Sequence, residues 1–336
     1  MAGGDMTAHT WQDNTPVMEG GAGDRRSANS TRGPRLRIVL AFAAIYLIWG
    51  STYLGIRFAI ETVPPLLMAG TRFVVAGTML YSWTQLRGTP RPTRLHWSAA
   101  AVVGGLMLLG GNGGVSWAEQ RVFSGLAALL IATVPLWIAL LDWKRRGGVR
   151  PSGRGAVGLV FGFVGVTLLV GPGELAGSSH MDPLGAMVLL LAAFSWAAGS
   201  LYSRQAQLPD SPLLAISMEM LTGGVLLLAA GLVTGEGARL ELSQISPRSV
   251  LALGYLIVFG SLVAFSAYIW LLRVSTPARA ATYAYVNPVV AVFLGWALGG
   301  EPLTLRTLLA AAVIVAAVVI ISYRTRKEDT RLQAST

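Results

Sequence analysis

The sequence predicts an all-α polytopic membrane protein, with ten transmembrane helices arranged as two inverted five-helix repeats. Three observations predict it. The 336 residues are 53% hydrophobic and only 12% charged, where soluble domains carry about a quarter charged residues. Ten apolar runs approach the roughly 20 residues that a spanning helix needs. The chain also aligns with itself at a fixed shift, with Trp49 on Trp196, Leu54 on Leu201, Arg57 on Arg204 and Pro65 on Pro212.

Residues 1–36 are polar, Gly- and Ser-rich and mixed in charge, and read as a disordered cytoplasmic tail without the apolar core of a signal peptide. Five apolar runs follow, near 38–56, 64–83, 97–117, 124–141 and 156–171. Five more lie near 184–202, 212–233, 249–271, 279–299 and 303–322. The first repeat is thus expected over 37–171 and the second over 184–323, with a cytoplasmic tail at 324–336. SGLAALLIATVP aligns with PARAATYAYVNP, which places Pro135 on Pro288. Five helices per copy is an odd number, so the second copy enters the membrane inverted, an architecture common in secondary transporters.

Charge placement gives the orientation. With the N-terminus in the cytoplasm, 20 of the 26 basic residues fall inside and 5 outside, and Arg72 lies within a span. That bias follows the positive-inside rule and puts both termini inside. It also accounts for the net charge of +10 and for the KRRGGVR run without invoking nucleic acid. The absence of cysteine excludes disulfides and thiolate metal sites. No metal-spaced His or carboxylate cluster and no Walker-type loop occurs, so the sequence implies neither an enzyme nor a cofactor. GGNGG at 110–114 lies inside an apolar helix and suits close helix packing rather than phosphate.

Candidate site residues are the polar and aromatic groups inside the spans. Arg72 and Glu219 are repeat-equivalent and opposite in charge. A charge in hydrocarbon costs at least about 2.5 kcal/mol, so each needs a partner, a watery cavity or a function. Their alternatives are a substrate or proton site, with Arg72 for a carboxylate and Glu219 for an amine or a proton, and a structural ion pair between the halves. Trp49, Tyr53 and Ile56 share a face of helix 1, and Trp196, Ser200 and Ser203 share one of helix 6. These faces read either as cavity walls or as packing or an interfacial aromatic belt. Asn112, Ser116 and Glu119 make a polar stripe on helix 3, with Glu119 a gate candidate near its outer end. On helix 9, Tyr283 and Asn287 share a face beside Pro288, which removes a helix hydrogen bond and makes a hinge candidate. Pro135 is its counterpart on helix 4. Glu301, ahead of Pro302, is expected to cap the start of helix 10.

Several blocks together resemble a known family. IWGSTYLGIR (48–57), PPLLMAGTRF (64–73), GNGGVSWAEQ (111–120), ATVPLW (132–137), SWAAGSLYSR (195–204) and ATYAYVNPVVAVFLGWALGGEPLT (281–304) are similar to the EamA-domain branch of the drug/metabolite transporter superfamily. Within it, the resemblance is to YedA-type inner-membrane permeases and covers about 37–323. It implies a ten-helix bacterial inner-membrane permease or exporter for amino acids, other metabolites or drug-like solutes. The copies are unequal in one respect: Glu301 has no acidic counterpart near Gly148. The expected function is movement of a small organic solute by alternating access, its partners being that solute and the lipid bilayer. Proton coupling through Glu219 and plain facilitation are both compatible with the sequence, as is a homo-oligomer. The competing readings are a membrane-embedded sensor and a lipid-modifying membrane enzyme.

Overall fold

The computed structural model describes residues 32–144, 153–170, 182–274 and 283–333. Among these residues every regular element is helical. The basic run 145–152, His180, Arg279 and most of the predicted N-terminal tail lie outside them. Residues up to Val39 form one unit and Leu40–Thr336 another, and the contacts below belong to the second.

Helix α1 runs Arg32–Ala59 and so begins inside the segment expected to be tail. Pro34 does not prevent this, because a first-turn proline loses no helix hydrogen bond. α2 is Pro65–Leu86. α3 is Arg94–Ala118, and its middle, Gly105–Gly113, is a π-helix. α4 is Ser124–Lys144, broken at Ala132 and Thr133, with Pro135 in the first turn of its second piece. α5 is Gly153–Val170, α6 Pro183–Ser203 and α7 Pro212–Val233. α8 covers residues 247–274 and also carries a π segment, Leu256–Val263. α9 is Tyr283–Gly299, with Pro288 inside it, and α10 is Leu305–Gln333. Proline opens α2, α6, α7 and α8, where its missing N–H is not needed.

Among the described residues, six helices are long and apolar enough to cross a membrane: Leu36–Ala59, Arg94–Ala118, Ser124–Lys144, Pro183–Ser203, Pro212–Val233 and Pro247–Tyr268. Shorter apolar helices lie at Ala156–Leu168, Val286–Gly299 and Leu305–Ile320. The outward faces are apolar as well, with Val160, Phe161 and Val164 on α5 and Phe293, Trp296 and Leu298 on α9 all exposed. Such a surface suits hydrocarbon, since water would leave it uncovered.

α2 and α7 pack closely and antiparallel. Gly70 faces Leu228, Gly224 faces Val74, Gly77 faces Leu221 and Gly231 faces Leu67. Glycine is needed here because the backbones touch: a Cβ on Gly77 would lie 2.9 Å from the Leu221 nitrogen, and one on Gly224 would lie 2.8 Å from that of Val74. Without a hydrophobic drive between helices in lipid, small residues and close van der Waals contact hold them together. α3 reaches α7 in the same way, with Gly104 against the Glu219 carbonyl and the Gly223 nitrogen.

Candidate functional site

A small cavity of about 20 Å³ lies between α3, α6, α7 and α8. Its lining includes Met107, Trp196, Ile216, Glu219, Met220 and Phe265. Glu219 is the only ionisable side chain there among the described residues. No hydrogen bond or ion pair engages its carboxylate among the described residues. Counting the rise of about 1.5 Å per residue, Glu219 and Trp196 each sit seven residues from where α6 and α7 join. The cavity therefore lies towards the α6–α7 end of the bundle. Trp196 gains its place because Gly111, in the π segment of α3, leaves room for the ring: a Cβ there would come within 2.8 Å of it.

Arg72 does not meet Glu219. Its Nε donates to Ser261 Oγ at 2.9 Å, and its guanidinium carbon lies 4.8 Å from the centre of the Phe73 ring. The reason is register. In the α2–α7 pairing, residue 72 stands level with 226, so Glu219 lies seven residues further along, roughly 10 Å at the helical rise. An ion pair between them is absent among the described residues.

Arg72 instead reaches the π segment of α8, and so does Trp49. Trp49 Nε1 donates to the Gly260 carbonyl at 3.2 Å. A π segment widens the helix and offsets carbonyls from their usual partners, and this side chain takes one of them. The Trp49 ring sits among Phe265, Tyr268 and Tyr283, with centroids at 5.1, 5.4 and 4.9 Å. Phe265 belongs to both this cluster and the cavity wall, so the two regions adjoin. Ser51, also on α1, shares a hydrogen bond of 2.6 Å with the Tyr255 hydroxyl. On the opposite side of the cavity, Ser195 Oγ donates to the Leu106 carbonyl in the other π segment at 2.7 Å.

The remaining candidates take varied positions. Tyr53 is partly buried against the core, within electrostatic reach of Glu119. Asn112 lies in the π segment of α3, partly exposed. Ser200 gives its hydroxyl to the Trp196 carbonyl, one turn back in its own helix, and Ser203 bonds to Ser200 in the same way. Tyr283 joins the Trp49 cluster. Asn287 is buried, with Oδ1 lacking a partner among the described residues, and its backbone carbonyl faces Gly50. Pro288 stays inside a continuous α9, whereas α4 breaks just before Pro135.

The α1–α2 end is tied by charge. Glu301 accepts from Arg57 Nη1 at 2.9 Å, Ser124 N at 2.8 Å, Ser124 Oγ at 2.7 Å and Gly125 N at 2.9 Å. It caps α4, not α10 as expected, and Thr304 Oγ1 accepts from Thr307 N at the start of α10 instead. Gly300, at φ +65°, turns the chain after α9, and the carboxylate folds back under Gly295 towards Ser124. A carboxylate there meets the orphan N–H groups and the positive end of the α4 dipole. Glu236, just beyond α7, does the same for α2, accepting from Leu66 N and Leu67 N at 3.0 Å each. Arg248 pairs with Glu61 at 3.2 Å and Arg121 with Asp182 at 2.7 Å at this end. The Arg121 hydrogen bond, helped by the Leu184 N–H, holds the Asp182 carboxyl below the usual aspartate range. Glu119, the residue after α3, is buried here with neither oxygen hydrogen-bonded among the described residues.

Sequence reasoning missed Tyr255, Ser261, Phe265 and Tyr268, since hydroxyls and aromatics in an apolar run carry no spacing signal of their own. It missed both π segments for the same reason, although glycines at 110, 111 and 260 mark where they fall.

The profile of the EamA-like transporter family matches this chain twice, over residues 36–171 and 183–323. The chain belongs to the EamA-like transporter family. This EamA-like transporter is 44% identical over 284 residues to a protein of Escherichia coli K12 described as the uncharacterized inner membrane transporter YedA, with 84% of this chain and 89% of that one covered. It is 24% identical over 283 residues to the uncharacterized transporter YoaV of Bacillus subtilis, covering 83% and 94% of the two chains. A crystal structure with 20% identity superposes with a TM-score of 0.60, covering 86% of this chain and 98% of the other, and so shares its fold. A small-molecule substrate and a membrane setting follow from membership, and an enzymatic role does not.

Proposed function

We propose that this transporter works by alternating access in the inner membrane, through ten spans forming two inverted repeats, 37–171 and 184–323, with both termini cytoplasmic. One observation carries the reading: the cavity lies towards the α6–α7 end while ion pairs and carboxylate caps tie the opposite end. By the basic-residue bias the α6–α7 end is cytoplasmic. This arrangement is then a state closed outside, with the site nearer the inside.

Reciprocal contacts support the repeat. Gly77 packs on Leu221 and Gly224 on Val74. Moving each pair along by the shift that carries Trp49 to Trp196 turns one contact into the other, the signature of a two-fold relation. The π segments of α3 and α8 fall at corresponding places, and α1 and α6 each donate a side chain into the π segment of the other half. The inversion also accounts for the depths of Arg72 and Glu219, because equivalent residues off the midplane come to opposite heights.

In this reading Glu219 and Trp196 contact the solute. Arg72, Trp49 and Tyr283 hold the π segment of α8, Glu119 sits in the outer gate, and the break before Pro135 and the proline of α9 are the hinges. The test is reconstitution in liposomes with a mixed pool of amino acids and common metabolites, followed by mass spectrometry with and without a proton gradient. A solute that crosses unchanged only with protein is the expected result, and dependence on the gradient separates coupled transport from facilitation. A ligand that binds but never crosses favours a sensor and sinks the proposal.

A further inference from the structure

We propose that the cavity binds a small monovalent organic cation, an ammonium carried on an apolar or aromatic body. The inference rests on the transport reading above and names the substrate class for its site. The cavity offers one carboxylate, from Glu219, among side chains that are otherwise apolar or aromatic. That carboxylate has no partner among the described residues, and in a hydrocarbon surround an unpaired charge is costly. A cationic ligand supplies the missing half of the pair. Trp196 and Phe265 also line the cavity, and aromatic rings stabilise an ammonium and its apolar body. Met107 and Met220 add flexible, polarisable wall.

The same geometry disfavours the other classes. An anion would face Glu219 with no cation among the described lining residues to offset it. An α-amino acid needs a positive group beside the carboxylate, and the intramembrane candidate is Arg72. Arg72 is turned to Ser261 and stands seven residues away in register, roughly 10 Å by the helical rise. Amine and carboxyl groups attached to one carbon do not bridge that gap. The cavity, about 20 Å³, has room for about one water in this state, so a cation enters as the transport cycle parts its walls.

The test uses the purified full chain in detergent and three probes of similar shape: 2-phenylethylammonium, 3-phenylpropionate and phenylalanine. Binding is read by tryptophan fluorescence and by calorimetry. The ammonium is expected to bind at least tenfold more tightly than either other probe. Glu219→Gln should weaken it at least tenfold, with the monodisperse elution and thermal unfolding of that variant reported alongside. Trp196→Leu, which removes the ring and keeps an apolar side chain, should weaken the ammonium several-fold, an independent readout should the Glu219 variant fail to fold. The proposal is overturned if the carboxylate or the zwitterion binds as well as the ammonium, if no ammonium binding is seen at millimolar concentration, or if folded Glu219→Gln binds the ammonium unchanged. Ammonium binding without flux in liposomes would sink the transport mechanism and leave the cation site standing. Flux of an anion without cation binding would do the reverse.

Discussion

At the residue scale, Glu301 illustrates how one carboxylate holds several parts together. It satisfies two backbone N–H groups, a hydroxyl and a guanidinium while almost wholly buried. Glu301→Ala leaves Arg57 without its partner and the α4 N-terminus bare, and removal of one member of a buried pair costs about 3–5 kcal/mol. The expected result is a drop of many degrees in thermal unfolding, whereas Thr304→Ala, which removes only the α10 cap, costs about 1 kcal/mol. Equal effects would return the main capping role to α10. Glu119 makes the opposite case, since its carboxylate is buried with no hydrogen bond among the described residues. Glu119→Gln keeps the volume and removes the charge, so its melting temperature in detergent should equal or exceed that of the parent. A marked loss would mean that the negative charge itself supports the closed outer end.

At the element scale, the α2–α7 seam is the most constrained feature. Alanine gains up to about 1 kcal/mol over glycine in a helix interior, but at Gly77 and Gly224 the added carbon presses on a neighbouring backbone. Overpacking of this kind costs about 1–3 kcal/mol. Gly77→Ala and Gly224→Ala are therefore each expected to destabilise, and by similar amounts because their contacts are reciprocal. Gly254→Ala, in open space on α8, should be neutral or stabilising. Denaturant unfolding in mixed micelles distinguishes these outcomes. Much of this level was legible from the chain, since apolar runs, helix-starting prolines and clustered glycines are local signals. Arg72 and Glu219 stood out because charge in hydrocarbon is expensive. Their separation was not legible, because it depends on the register of two helices far apart in sequence. The true role of Glu301 was hidden for a related reason: a cap read locally goes to the next helix, while the turn at Gly300 sends this one across the bundle. The π segments are the least legible, being a matter of one inserted residue per turn rather than of composition.

At the scale of the whole molecule, orientation is the property most open to a direct check. The chain has no cysteine, so a single introduced thiol reports one position without background. Arg91→Cys lies in the α2–α3 connection and Glu241→Cys in the α7–α8 connection, both exposed. With the orientation proposed above, a membrane-impermeant maleimide applied to intact cells should label position 241 and spare 91 until the membrane is opened. The reverse pattern would turn the molecule over and make the tied end cytoplasmic.

The two long-range caps also bear on how the chain is made. The acids that complete the starts of α2 and α4 are Glu236 and Glu301, and both come from the later half of the sequence. A ribosome delivers α2 and α4 to the membrane long before either acid exists. Until then those helix ends must be served by water, by lipid headgroups or by the insertion machinery. The early half is thus a client awaiting its own distal sequence, and the start of α4 is complete only once the tether after α9 reaches back to Ser124.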